Sequence, residues 1–280
     1  MNKKRTQQIF NALNKTSKTV LHKKKFSFSY KSDFLEYKSY LSNFSSEQYQ
    51  LFDGLFTELA VQDSIQSLFA GAIVNQTENR PALHYQYRTS HPTPEFNFRK
   101  ICAPLLQKIK KEKYQNIITF GIGGSYEGPK LLQEFLLNPA SDINYSFVSG
   151  PDKHEFNLIV KPLLRQKNLY IFASKSLVTE ETLSCLKWLG KNRTDKNSIV
   201  ITANSEGARA LGFADSLIVP FPESVGGRYS IWSPISLTAS VENNFMGFLQ
   251  GGGLADSLIS GSSLNAKKYQ KLIKTLAFSD

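Results

Sequence analysis

A chain of 280 residues with 41% hydrophobic content can bury one large core, and it carries no low-complexity tract or internal repeat. Its richest apolar run, Ser67–Val74, is far short of the roughly 20 residues that cross a bilayer, and Met1-Asn-Lys-Lys-Arg precedes polar residues rather than an apolar secretory core. The chain therefore reads as a soluble, cytoplasmic protein. Its formal charge is +11, yet eight of those excess charges lie in residues 1–25, which hold no acid.

That basic arm reads as a solvated amphipathic terminal helix. Phe10 and Phe26 give it too little aromatic interleaving for a nucleic-acid surface, so neither nucleic acid nor a membrane is an expected partner. Residues 33–44 and 47–56 space their apolar residues three or four apart, which predicts helices. Pro92 and Pro94 then mark a break. Beyond residue 100, short apolar runs at 116–122, 145–149, 169–173, 198–202 and 217–220 alternate with helix candidates at 128–137, 154–166, 179–191 and 205–212. Strands that are apolar on both faces and alternate with helices specify a parallel sheet covered on both sides.

The expected fold is α/β, a doubly wound αβα sandwich with a five-stranded parallel sheet. Residues 1–100 would form a helical N-terminal segment, and residues 101–280 the sheet domain. Gly251-Gly-Gly253 reads as a turn before a last helix at 265–277. Cys102 and Cys185 lack metal-ligand spacing and read as reduced structural thiols, with no metal or cofactor implied.

Three glycine- and hydroxyl-rich segments fall where strands end. The first, Gly121-Ile-Gly-Gly-Ser-Tyr-Glu-Gly128, leaves too long a gap for a dinucleotide fingerprint and lacks the Gly-Lys-Ser/Thr ending of a nucleotide phosphate loop. What remains is a tight turn, Ser125, and a helix opening at Gly128-Pro129 with its positive end toward the loop. The second, Ala173-Ser-Lys-Ser-Leu-Val-Thr179, gathers the hydroxyls of Ser174, Ser176 and Thr179 around Lys175, with Thr179 suited to cap the following helix. The third, Val225-Gly-Gly-Arg-Tyr-Ser230, would open a helix running through Pro234 to Val241 and offers Arg228 as an anion contact; Tyr229 and Trp232 read as core residues. Backbone N–H groups, hydroxyls and a guanidinium in such places suit a phosphorylated small molecule.

Taken together, the Gly-Ile-Gly-Gly-Ser loop, the Ser-Lys-Ser loop and Val-Gly-Gly-Arg-Tyr-Ser resemble the N-terminal half of the glucose-6-phosphate isomerase family. Thr77–His84, Phe147–Ser149 and Asn204–Glu206 also resemble family segments, so the similarity runs from about residue 70 onward. Departures are Tyr126 and Glu127, where the family often has Asp and Leu, and Ser176 and Val178 in place of threonines.

The resemblance implies a sugar-isomerase fold and interconversion of glucose 6-phosphate and fructose 6-phosphate through an enediolate. It would place Gly124, Ser125, Ser174, Lys175, Ser176 and Thr179 around the phosphosugar, with Arg228 facing the enediolate. The family's catalytic glutamate lies in a Glu-Ser-Asn-Gly-Lys-type motif that does not occur here, and its ring-opening histidine and C-terminal lysine are likewise unmatched. None of Glu180, Glu181, Glu223, His84, His91 or His154 carries a motif that marks it as the base. The expectation is a phosphosugar-binding chain of weak or no activity by itself, whose partner is a complementary C-terminal half or a second copy. A noncatalytic regulatory module and a decayed remnant are the alternatives.

Overall fold

A computed structural model describes residues 3–17, 25–31, 36–136, 138 and 140–261. The chain divides into two compact units, Met1–Pro81 with Leu254–Asp280, and Ala82–Gly253.

In the first unit, helix α1 (Lys3–Ser17) is followed by the antiparallel strands β1 (Lys25–Lys31) and β2 (Glu36–Ser45), then by helices α2 (Ser46–Glu58) and α3 (Val61–Phe69). The helix expected over 33–44 is thus corrected to a strand from Glu36 onward, residues 33–35 lying outside the described residues. Its Tyr, Ser and Phe residues suit either conformation locally, and pairing with β1, from Lys31 opposite Glu36 to Phe26 opposite Leu41, decides between them. The strand gives way to α2 at a capping box: the Ser45 hydroxyl accepts from the Gln48 amide at 3.2 Å, and the Gln48 side chain accepts from the Ser45 amide at 2.8 Å. Arg5 pairs with Glu58 at 2.9 Å, which ties the basic helix α1 to α2. Lys23 and Lys24 of the arm, and the helix expected at 265–277, lie outside the described residues.

The second unit contains α4 (Phe98–Glu112), β3 (Asn116–Phe120), α5 (Glu127–Phe135), β4 (Asn144–Val148), α6 (Lys153–Ile159), β5 (Asn168–Ala173), α7 (Glu180–Leu189), β6 (Ser198–Thr202), α8 (Ser205–Ala210), β7 (Ile218–Pro220), α9 (Leu237–Ser240) and the first part, through Gly253, of α10 (Phe245–Ser260). Its five strands are all parallel, as the sequence predicts, and lie in the order β4-β3-β5-β6-β7. The composition change near residue 100 falls inside α4, whose Cys102, Leu105 and Ile109 pack in the sheet core.

Strand alternation divides that core in two. Ile117, Leu169, Ile171, Ile199, Ile201 and Val219 face α4, α5 and α10, while Ile118, Phe120, Tyr170, Phe172 and Val200 face α6, α7 and α8. The two free thiols follow the same division, Cys102 in the first layer and Cys185 in the second. At the amino ends of the strands, Asn116 stands in register with Asn144 and Asn168. Its side chain donates to Gln166 at 2.9 Å and to Asn168 at 2.8 Å, and accepts from Asn144 at 3.3 Å. This amide ladder closes one end of the sheet.

Two further expectations are corrected. Gly251–Gly253 lies within α10 rather than in a turn. A Cβ on Gly252 would stand 2.4 Å from Arg88 Cδ and 2.7 Å from Trp232, and one on Gly253 would stand 2.3 Å from the Arg88 carbonyl oxygen, so close packing accounts for these glycines. The helix expected to open in the Val225–Ser230 segment and run through Pro234 to Val241 is broken into two 3-10 turns, Gly227–Trp232 and Pro234–Ser236, followed by α9. Pro234 disfavours helical backbone at the residue before it, and Ser233 is extended, with φ −103° and ψ 178°.

Candidate functional site

From β3 the chain goes to β4 at one edge, then returns across β3 to pair β5 on its other side. The carboxyl ends of β3 and β5 therefore border the topological switch point, the place at which sheets of this kind take up ligands. The first two glycine- and hydroxyl-rich segments follow these two strands directly.

The first segment leaves β3 through Gly121 and a 3-10 turn at Gly123–Ser125 before α5 begins. Gly123 has φ +55°, a conformation costly for a side chain. A Cβ on Gly121 would lie 2.7 Å from the Ser125 carbonyl oxygen and 3.1 Å from that of Ala173 at the end of β5, which packs the first loop onto the second. Gly124 meets the third segment more tightly still: a Cβ there would lie 1.9 Å from the Gly227 carbonyl oxygen. The hydroxyl of buried Ser230 bridges this meeting, 2.7 Å from the Gly227 carbonyl and 3.2 Å from that of Gly124.

The second segment is held from beneath. Buried Ser174 accepts from the Leu177 amide at 3.1 Å and shares a 3.1 Å hydrogen bond with the Thr179 hydroxyl. Thr179 stands at the N-cap position of α7 but makes no side-chain cap bond; its hydroxyl turns back to Ser174 instead. The Lys175 carbonyl accepts from the Ala203 amide at 2.9 Å and the Thr202 hydroxyl at 3.0 Å, and the Ser176 carbonyl accepts from Asn204 at 3.0 Å. Leu177 is left-handed at φ +53° and buried, Lys175 is half-buried, and Ser176 is exposed. Val178, where the family resemblance calls for a threonine, is 69% exposed.

Arg228 is exposed, with its guanidinium 5.2 Å from the centre of the Tyr229 ring. Tyr229 is not a core residue; it is 39% exposed and stacks on His84, with ring centres 4.5 Å apart and planes 14° apart. Trp232 does pack against the core, stacked on Phe248 at 4.3 Å. Burial, chiefly, and the charge of Arg88 hold the His84 imidazole down at about 4, partly opposed by the Ala82 backbone, so it is neutral near pH 7. Leu83 adds a backbone bond to Ser224 at 3.0 Å. Glu180 and Glu181 occupy the first turn of α7, where the helix dipole favours acids.

The structure thus packs Gly121 of the first loop against Ala173 at the head of the second, and Gly124 against Gly227 in the turn that carries Arg228. Sequence reasoning passed over Ser230, His84 and Asn204 as parts of this framework. Ser230 lies within a segment already singled out, whereas the Asn204 and His84 contacts come from elements distant in sequence.

Residues 40–269 match the family profile described as phosphoglucose isomerase. The chain belongs to the phosphoglucose isomerase family. Glucose-6-phosphate isomerase of Pseudomonas fluorescens strain SBW25 is 29% identical over 265 residues, covering 83% of this chain and 48% of that protein. The enzyme of Zymomonas mobilis is 32% identical over 208 residues, covering 68% of this chain and 41% of that one. The chain therefore spans about half the length of the relatives it matches. A glucose-6-phosphate isomerase structure from Chlamydia trachomatis superposes with a TM-score of 0.67 at 21% identity, covering 78% of this chain and 47% of that one, and shows the shared sugar-isomerase fold. Among the described residues no helix is long and apolar enough to cross a membrane.

Proposed function

We propose that this family member binds a hexose 6-phosphate in the crevice bordered by β3 and β5. The supporting observation is the convergence of three loops there, with Gly121 against Ala173 and Gly124 against Gly227. In this reading Gly124, Ser125, Ser174, Lys175, Ser176 and Thr179 surround the sugar and its phosphate, through N–H groups, hydroxyls and one ammonium. Arg228, at the edge of the same crevice, faces the sugar carbons. Aldose–ketose isomerisation removes a proton beside a carbonyl and places negative charge on an enediolate, which a fixed guanidinium stabilises. The binding residues of this reading all lie in the unit Ala82–Gly253, and the protein acts in the cytoplasm on intermediates of glycolysis and gluconeogenesis.

The proton itself needs a base, and no carboxylate near the crevice is assigned that role. Glu180 and Glu181 are accounted for as helix-start acids. In this reading the base comes from outside these 280 residues. That same observation favours a second reading, a module that binds phosphosugar without turning it over.

Calorimetric titration with fructose 6-phosphate, beside an assay of its interconversion with glucose 6-phosphate, tests both. Arg228→Ala and Ser125→Ala should each weaken binding about 10- to 100-fold, as loss of a charge-assisted hydrogen bond requires. Unchanged affinity in both variants would remove the proposed crevice. Turnover by the 280-residue chain alone, lost in Arg228→Ala, would show that the base lies within these residues and remove the need for a complementary one.

A further inference from the structure

Arg228 is carried on a 3-10 turn of six residues, Gly227–Trp232. On one side that turn docks on the glycine loop through Gly124, Ser230 and the contact of Gly128 with Ile231. On another it meets a second 3-10 segment, Leu83–Arg88. That segment grips it twice: His84 stacks on Tyr229 at 4.5 Å, and the Arg88 guanidinium lies 4.4 Å over the Trp232 ring. Tyr229 is common to both relationships that matter, since its ring also lies 5.2 Å from the Arg228 guanidinium.

We propose that His84 is a positioning residue for Arg228, acting through the ring of Tyr229. His84 is 9% exposed, and its Nδ1 is buried with no hydrogen-bond partner among the described residues. With the ring planes 14° apart, its contact with the partly exposed Tyr229 is a contact of faces. With Tyr229 held flat, the guanidinium beside it has a fixed surface to lie against; without the imidazole, Tyr229 is free to rotate toward solvent and takes that surface with it. Neither His84 nor Tyr229 needs to touch the sugar.

This inference rests on the phosphosugar reading, and its test separates the two. The full chain is titrated calorimetrically with fructose 6-phosphate as wild type, His84→Ala, His84→Phe, Tyr229→Ala, Arg228→Ala and the double variant His84→Ala/Arg228→Ala. His84→Ala should weaken binding roughly 2- to 12-fold, the factor corresponding to one aromatic pair, and His84→Phe should restore it. Tyr229→Ala, at a partly exposed position that folding tolerates, should reproduce the His84→Ala loss. In the Arg228→Ala background, His84→Ala should have no further effect, because the group it positions is gone. General damage to the crevice would instead weaken binding equally in both backgrounds. That additivity, or failure of His84→Phe to restore affinity, overturns the inference alone; an Arg228→Ala variant of wild-type affinity overturns the inference together with Arg228's part in the phosphosugar reading.

Discussion

Gly124 and Gly227 meet backbone to backbone, so closely that a Cβ on Gly124 would stand 1.9 Å from the Gly227 carbonyl oxygen. The obstructing atom is main chain, which no rotamer change can move aside. Gly124→Ala should therefore displace one loop from the other and destabilise the fold by about 1–3 kcal/mol, the usual cost of overpacking. Urea denaturation and fructose 6-phosphate titration of the variant should both register it, and a variant equal to wild type in both would show that the loops yield without cost.

Ser230 tests the same junction from within. Its hydroxyl reaches the carbonyls on both sides of the meeting, so Ser230→Ala removes the one donor that these two part-buried carbonyls share. The expected loss is about 0.5–1.5 kcal/mol of stability, read from the denaturation midpoint, with little change in the slope.

His84 makes stability depend on acidity. Its folded-state value is depressed to about 4 against 6.5 for the free side chain, first by burial and then by Arg88. Between these values the unfolded chain binds the proton and the folded chain does not. The stabilisation is thus complete above about pH 6.5 and is lost as pH falls toward 4, by about 3 kcal/mol in the limit. Denaturation midpoints at pH 7.5 and 4.5 should differ by more in wild type than in His84→Phe, which has nothing to titrate; equal differences would assign the acid sensitivity to other groups.

Both thiols should be silent in the native state. Burial raises Cys102 far above the ordinary thiol range, and burial, followed by the charge of Glu155, pushes Cys185 up to about 12. An aromatic disulfide reagent at pH 8 should label neither until denaturant is added, at which point two thiols should react per chain. Rapid labelling of the folded protein would contradict the packing of the sheet layers.

The sheet was legible in the sequence because its strands are apolar on both faces, a pattern that no surrounding contact is needed to interpret. Residues 33–44 were not, since their mixed aromatic and hydroxyl residues fit helix or strand until β1 is placed beside them. The glycine triplet misled for a related reason: glycines signal turns locally, yet Gly252 and Gly253 serve an approach to Arg88, which is far away in sequence. At the crevice, the loops announced themselves by composition. The side chains that fix them, His84, Asn204 and Ser230, act through tertiary contacts that no local motif records.

The turn after β5 carries one further implication. Leu177 holds a left-handed backbone that a branched side chain adopts only at some cost, while its own side chain is sunk in the core layer beneath and its amide is bonded to Ser174. The loop's shape is in this way set by the sheet, before any ligand arrives. An incoming anion would encounter a finished surface and would spend none of its binding energy on freezing the chain.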